Sequence, residues 1–204
     1  FFANSILARK FICLPNIVNK NSISKKAQEP CSIRDIDILF IGRLTLPKDP
    51  LKFIEIVKEI KNFFPNIKAV MVGDGELKKE CQRKIDEDNL SSNIFLLGYM
   101  DNPYPYLRES KMVIMPSQWE GFGLVAVEAM VLGKPVLASP AGGLKGIIKH
   151  GITGYFCESI EDFVNRVNSL LNNSEILIEL STNSVKESEN YTNVNTYKEK
   201  LNTI

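Results

Sequence analysis

The sequence predicts a doubly wound α/β fold, with a parallel sheet of about six strands and helices on both faces. Three observations predict it. Short, nearly continuous apolar runs recur along the chain, as in strands that are buried on both faces. Amphipathic or wholly apolar helical segments separate these runs, and this alternation is typical of parallel sheets. Glycine-rich loops follow several of the runs, where open α/β sheets bind their ligands.

Six apolar runs are predicted to be the strands. They are residues 38–41, 69–72, 94–97, 112–115, 135–138 and 154–156. Between the first two, residues 49–64 are predicted to form a helix, because apolar residues recur every three or four positions and Pro65 ends the segment. The residues of this stripe are Leu51, Ile54, Val57, Ile60 and Phe64. Residues 124–132 form another helical segment, which is apolar on every side except at Glu128.

The predicted sheet domain covers residues 35–172. Residues 1–34 are predicted to be the end of a preceding region and a linker, because residues 19–34 are polar and rich in Asn, Ser and Lys. Residues 173–204 are predicted to be C-terminal helices. Their last apolar stripe must be covered, either by this domain or by another one. The stripe consists of Tyr191, Val194, Tyr197 and Leu201. Because the sequence opens with Phe1 rather than Met, we expect it to begin partway through a longer protein.

Composition excludes several classes of protein. The chain has 25 basic and 24 acidic residues and a net charge of +1, which is not the charge pattern of a general nucleic-acid binder. His150 is the only histidine and the four cysteines form no C-x-x-C pair, so a zinc site or a Ser-His-Asp triad is not expected. No apolar run approaches the ~20 residues that span a bilayer. We therefore expect a cytoplasmic protein, with peripheral contact at the inner face of the membrane left open.

Candidate binding residues follow the first, second and fourth predicted strands. Gly42 and Arg43 come directly after the first strand, with Lys48 five residues further on, and Gly73 follows the second. The carboxyl ends of parallel strands meet at one edge of the sheet, so the two cations are expected there together. They could neutralise a diphosphate, Arg43 as a planar fork and Lys48 as a point charge. The alternative is that both are ordinary solvated surface charges.

The loop after the fourth strand opens the apolar helix. Gly121-Phe122-Gly123 would let backbone N–H groups and the helix dipole approach an anion, although a plain strand-to-helix turn would look the same. Glu128 lies within the helix, where a carboxylate costs several kcal/mol unless it is paired or hydrogen-bonded. The hydroxyl groups of a ribose would satisfy it. A narrow solvent-exposed face of the helix is the alternative.

Together these residues resemble a known family. The segments EGFGLVAVEAM (residues 120–130) and GKPVLAS (133–139), followed by Gly142-Gly143, resemble the nucleotide-sugar-binding half of family 4 retaining glycosyltransferases with the GT-B fold, a Rossmann-like domain. Residues 42–44 with Lys48 match the first-strand motif of that family. Residues 102–107 resemble members that build bacterial surface polysaccharides such as lipopolysaccharide or capsule. The likeness covers most of residues 11–200.

The resemblance implies roles for individual residues. Arg43, Lys48 and Glu120 would be catalytic, the two cations on the donor diphosphate and Glu120 near the sugar and the distal phosphate. Backbone groups near Tyr99 would contact the base, and Glu128 would hold the ribose hydroxyls. The remaining donor-binding residues would be Gly42, Gly73, Gly121, Phe122, Gly123 and Leu124. Charge on the leaving diphosphate would be stabilised electrostatically, with no metal and no cofactor expected.

The implied reaction is transfer of a hexose or related sugar from a UDP- or GDP-sugar to a glycan or lipid-linked acceptor, with retention of configuration. The acceptor domain of the family would precede this one, and residues 13–19 resemble the crossover between the two. Two departures stand out. Asp49 lies where glycine is common, and Gly146 lies where many relatives carry an acidic residue.

Two alternatives remain open at this point. A nucleotide-sugar epimerase of similar architecture would convert free donor without an acceptor. A non-catalytic nucleotide-binding or assembly module, derived from a truncated glycosyltransferase, would bind the nucleotide without transferring the sugar.

Overall fold

A computed structural model of the chain describes residues 16–193. Six parallel strands form one sheet in the order β3-β2-β1-β4-β5-β6, which confirms the predicted doubly wound α/β fold. The strands are β1 (Ile36–Ile41), β2 (Ala69–Val72), β3 (Ile94–Gly98), β4 (Ser110–Met115), β5 (Val136–Ala138) and β6 (Gly154–Phe156). The helices are α1 (Lys20–Lys26), α2 (Pro50–Lys61), α3 (Lys78–Glu87), α4 (Tyr104–Glu109), α5 (Leu124–Val131), α6 (Ile160–Asn172) and α7 (Ser174–Ser188). Short 3₁₀ turns cover Leu46–Lys48, Gly142–Gly146 and Glu189–Tyr191.

The direction of strand order reverses at β1, whose neighbours are β2 and β4. Leu39 at its centre is in register with Val70 on one side and Val113 on the other. Side chains alternate between the two faces, so Ile38 and Phe40 enter one core and Leu39 enters the other. Burial on both faces explains why the strands read as continuous apolar runs.

Helices cover both faces of the sheet. On one face α2 contacts α3 and α6, and its buried side chains include Ile54, Val57 and Ile60 of the predicted stripe. On the other face α5 contacts the sheet through β5, and it also contacts α7. A helix covered on two sides has little need of a polar face, which explains why α5 is apolar nearly all round.

Part of the segment predicted to be a linker is helical. Residues 20–26 form α1. Asn19 caps its N-terminus, because the Asn19 side chain accepts a hydrogen bond from the Ser22 amide at 2.9 Å. Helix α1 contacts α4 and α5 through its one buried residue, Ile23. With a single apolar residue in seven, the helix has no stripe that periodicity could detect.

The C-terminal helix α7 contacts α5 and α6 of the same domain. Tyr191 follows it; its ring packs edge-on against Phe122 with centroids 6.2 Å apart, and its hydroxyl donates to the Gly146 carbonyl at 2.9 Å. Tyr191 is thus covered by this domain. The other members of the predicted stripe, Val194, Tyr197 and Leu201, lie outside the described residues, as do residues 13–15 of the predicted crossover at 13–19.

Across residues 16–193, no helix has both the length and the apolar character needed to cross a bilayer.

Candidate functional site

A cavity of about 320 Å³ opens at the carboxyl ends of β1 and β4, where the strand order reverses. This is the position at which open α/β sheets bind ligands. Its lining includes eight of the predicted site residues: Gly42, Arg43, Lys48, Glu120, Gly121, Phe122, Gly123 and Leu124. The structure therefore brings together the two cations and the glycine-rich loop.

Backbone hydrogen bonds join the loops that form this cavity. The amides of Gln118 and Trp119, after β4, donate to the Pro47 carbonyl at 3.0 and 3.2 Å. The loop after β2 is attached in the same way, because Leu44 donates to Asp74 and Leu77 donates to Leu44, each at 2.9 Å. The loop after β1 is thus held from two sides, and this fixes the positions of the residues that it carries.

Glycines permit these loops to approach one another closely. A Cβ on Gly73, whose φ is +147°, would lie 1.8 Å from the Gly42 carbonyl oxygen. A Cβ on Gly143 would lie 2.3 Å from the Gly121 carbonyl oxygen. The Gly143 amide donates to the backbone carbonyl of Glu120 at 2.9 Å. Gly73 does not line the cavity, so its visible role is this backbone contact rather than a ligand contact.

Lys48 and Glu120 contact each other within the cavity. Lys48 Nζ lies 2.5 Å from Glu120 Oε2, and their side chains are 21% and 10% exposed. The sequence places both residues at a ligand but does not predict this pair, since they are 72 positions apart. Arg43 is exposed and makes no ion pair within residues 16–193. An anion entering the cavity would therefore meet one uncompensated cation and one paired cation.

Asp49, where the family commonly has glycine, adopts the backbone conformation that glycine favours. Its φ of 50° and ψ of 57° lie in the left-handed region, which Asp and Asn tolerate better than most residues. Its side chain accepts hydrogen bonds from the Lys52 amide at 3.1 Å and from Gln118 Nε2 at 2.9 Å. Asp49 thus caps α2 and ties the β1 loop to the β4 loop.

Helix α5 begins at the cavity. Gly123 precedes it in a left-handed conformation with φ +94°, and Leu124 and Val125 of the first turn line the cavity. The first N–H groups of a helix have no partner within it, and the macrodipole makes this end positive. This end of α5 is therefore suited to an anion.

Glu128 lies one turn further along α5 and does not line this cavity. It is half-buried, and its Oε1 accepts a hydrogen bond from the Tyr104 hydroxyl at 2.9 Å. Burial raises the pKa of Glu128, and the hydrogen bond from Tyr104 partly opposes that rise. Burial, followed by the charge of Glu128, raises the pKa of Tyr104 to about 12. The sequence predicts that Glu128 needs a partner but does not identify Tyr104.

Tyr99 follows β3 at the same edge of the sheet and also lies apart from the cavity. It is 72% exposed, and its hydroxyl donates to Asp101 at 2.9 Å. The Gly98 carbonyl just before it accepts a hydrogen bond from the Gly73 amide at 2.8 Å. Of the predicted site residues, the structure thus leaves Gly73, Tyr99 and Glu128 outside the lining.

Among the lining residues that were not predicted from the sequence as site residues are Ser117 and Trp119. Ser117 is 2% exposed and Trp119 is 66% exposed. Both lie between β4 and Glu120, so their place in the strand-to-helix loop could have identified them.

Comparisons with known proteins agree with this architecture. The family model described as glycosyl transferases group 1 matches residues 23–189. An Escherichia coli UDP-Gal:alpha-D-GlcNAc-diphosphoundecaprenol alpha-1,3-galactosyltransferase is 35% identical over an alignment of 130 residues, and the match covers 61% of this chain and 34% of that protein. The chain thus spans about a third of this relative, and 34% and 43% of two relatives from Methanocaldococcus jannaschii.

Solved structures share the fold. TarM from Staphylococcus aureus superposes with a TM-score of 0.82 at 26% identity, covering 94% of this chain and 38% of that one. The C-terminal domain of a group 1 family protein (LpcC) from Francisella tularensis has a TM-score of 0.67 at 24% identity, covering 85% of this chain and 92% of that domain. The predicted resemblance to glycosyltransferases is thereby confirmed.

Proposed function

The chain belongs to the group 1 glycosyl transferases, and we propose that it forms the part of such an enzyme that binds the nucleotide-sugar donor. The observation that carries this proposal is the cavity at the β1–β4 switch point, where Arg43, Lys48, Glu120 and the N-terminus of α5 meet. The related TarM structure contains UDP. We propose a UDP- or GDP-sugar as the donor, because the cations at the cavity suit its diphosphate.

The diphosphate is proposed to bind between Arg43 and the first turn of α5. Arg43 offers a planar set of N–H donors, and the helix end offers backbone N–H groups. Lys48 would join them by exchanging its contact with Glu120 for a phosphate oxygen. These positive groups would stabilise the charge that develops on the leaving diphosphate, and on this basis we propose transfer without a metal ion.

The ribose and base are proposed to lie further along the same edge of the sheet. Glu128 is one helical turn from the cavity, so a nucleotide whose diphosphate lies at Leu124 could place its ribose hydroxyls near the carboxylate. The base would then lie towards β3, near the backbone at Tyr99. Gly73 would support this edge through its contact with Gly42.

The complete reaction is proposed to be transfer of a hexose or related sugar, with retention, to a glycan or lipid-linked acceptor held by a second domain. The E. coli relative is named for transfer to a lipid-linked sugar, which supports that acceptor class. Donor and acceptor must be held together for transfer, so this chain alone is expected to bind the nucleotide and transfer slowly or not at all.

Titration with UDP and GDP tests the proposal. Trp119 is the only tryptophan and lines the cavity, so its fluorescence should report binding directly. We expect saturable binding that persists in EDTA and is weakened about tenfold or more by Arg43→Ala or Glu128→Ala. The matched control is Arg83→Ala, which removes an exposed arginine on α3 paired with Glu87. Absence of saturable binding by the unmodified chain would overturn the proposal.

A further inference from the structure

A tyrosine on α4 contacts the carboxylate of α5. The Tyr104 hydroxyl donates to Glu128 Oε1 at 2.9 Å, and the two residues are 24 positions apart. Tyr104 is the first residue of α4, and its amide donates to Asn102 Oδ1 at 3.3 Å. Asn102 is itself held by the Lys26 carbonyl and by Glu29, at 3.0 and 2.9 Å. Tyr104 is therefore held in place through both its backbone amide and its hydroxyl group.

The two oxygens of Glu128 differ in their surroundings. Oε1 accepts the Tyr104 hydrogen bond, whereas Oε2 has no hydrogen-bond partner within residues 16–193. Oε2 is also not enclosed, because Asp88 Oδ2 is the one buried side-chain oxygen or nitrogen found without a partner in this part of the chain. Glu128 thus has one acceptor occupied by the protein and one that reaches solvent.

We propose that Tyr104 is a positioning residue for the donor site, whose hydroxyl holds the Glu128 carboxylate in one rotamer so that Oε2 faces the ribose hydroxyls. The inference rests on the proposed function. Without the Tyr104 hydroxyl, a glutamate side chain can rotate about its χ angles, and ordering it would then oppose binding of the nucleotide. Tyr104 suits the task because, with a pKa of about 12, it remains a hydrogen-bond donor throughout the neutral range.

A purely structural role for the hydroxyl makes a different prediction. Removing it would then lower the stability of the domain while leaving its preference for a complete ribose unchanged. The two roles are separated by comparing the affinity for a nucleoside diphosphate with that for its 2′,3′-dideoxy form, which lacks the hydroxyls that Glu128 would contact.

The experiment uses Tyr104→Phe, which keeps the ring and removes only the oxygen. UDP and GDP are titrated first, and the tighter of the two is compared with its 2′,3′-dideoxy form. We expect the unmodified chain to prefer the complete ribose by about tenfold. In Tyr104→Phe the preference should fall to about two- to threefold, through weaker binding of the complete nucleotide alone.

Tyr106→Phe is the matched control. Tyr106 lies on the same helix, is 7% exposed, and its hydroxyl bonds Ser32 Oγ at 3.0 Å rather than Glu128. Tyr106→Phe should keep the full preference for the complete ribose, whereas Glu128→Gln should lose most of that preference. Thermal melts of each variant establish that it is folded at the titration temperature.

Three results would overturn the inference. An unchanged ribose preference in Tyr104→Phe would assign the hydroxyl to stability alone and leave the proposed function standing. An equal loss in Tyr106→Phe would show that the effect is not specific to the Glu128 contact. Failure of the unmodified chain to bind either nucleotide would remove both the inference and the proposed function.

Discussion

Lys48 and Glu120 form an ion pair that joins the loop after β1 to the loop after β4, with Nζ and Oε2 2.5 Å apart. Glu120 is also held through its backbone, because its carbonyl accepts the Gly143 amide at 2.9 Å. The backbone of Lys48 is held as well, since its amide donates to the Thr45 carbonyl at 3.0 Å. The two loops are therefore fixed, and only the side chains need to move for the pair to separate. A phosphate that attracted Lys48 would leave Glu120 available to another hydrogen-bond donor.

Removing Lys48 should destabilise the domain. Lys48→Met leaves the Glu120 carboxylate, 10% exposed, without its partner, and we expect the free energy of unfolding to fall by about 1–3 kcal/mol. Urea denaturation measures this change. Lys78→Met is the control, since it breaks a pair with Asp74 in which the side chains are 43% and 49% exposed, and its cost should stay below about 0.5 kcal/mol. Equal costs for the two variants would contradict the prediction.

Asp49 combines a helix cap with a left-handed backbone. Asp49→Gly loses the cap but relieves the backbone, so its effect on the free energy of unfolding should be within about 1 kcal/mol. Asp49→Ala loses the cap and keeps the strain, and should cost about 1–3 kcal/mol. Asp49→Asn retains both features and serves as the control. Thermal melts rank the stabilities of the three variants. Equal stabilities of Asp49→Ala and Asp49→Gly would refute the argument.

Gly143 should tolerate no side chain. In Gly143→Ala the new Cβ would lie 2.3 Å from the Gly121 carbonyl oxygen, a backbone atom that can move only with its loop. We expect a loss of at least 2 kcal/mol, on the order of overpacking in a core, and weaker nucleotide binding. Gly146→Ala is the control three residues away, because nothing lies within 4 Å of its added Cβ. Denaturation and UDP titration of both variants test the difference.

Glu128 should limit the stability of the domain at neutral pH. Its pKa is raised in the folded state by burial, so folding favours the protonated form, and stability is lost as the pH rises through the folded pKa. Glu128→Gln removes this dependence. The variant should melt above the unmodified chain at pH 7, by about 2–4 °C for each 1 kcal/mol relieved. The gain in melting temperature should vanish below the pKa of a glutamate in the unfolded chain, about 4.3.

The difference between the two melting curves isolates Glu128, because every other carboxylate is common to both chains. A gain that did not change between pH 4 and pH 7 would contradict the argument, as would a variant that melts lower at pH 7. Glu128→Gln should also weaken nucleotide binding. Glu128 would then be a residue that serves binding and lowers the stability of the domain.

The strands were predictable because each packs against a core on both faces of the sheet. The runs at 69–72 and 154–156 coincide with β2 and β6, and the others match their strands within about two residues. Helix α2 was predictable for a related reason, since one face of it lies in a core. Helix α1 was not, because a single buried residue, Ile23, leaves no repeat in the sequence.

The candidate site was predictable as a set of loops but not as a set of contacts. Parallel strands bring their carboxyl ends to one edge, so Arg43 and Lys48 could be placed together from the order of the elements, and the resemblance placed Glu120 with them. Which side chains pair depends on distances that sequence spacing does not encode. Lys48 with Glu120 and Tyr104 with Glu128 are both pairs of this kind.

The segments at the two limits of the domain run side by side, because the Val18 amide donates to the Tyr191 carbonyl at 2.9 Å. Two residues near opposite limits of the described range, 16–193, are thus adjacent in space. A segment whose two ends are adjacent can be inserted into a surface loop of an unrelated protein without straining the connections on either side. Residues 16–193 are therefore suited to insertion into such a loop.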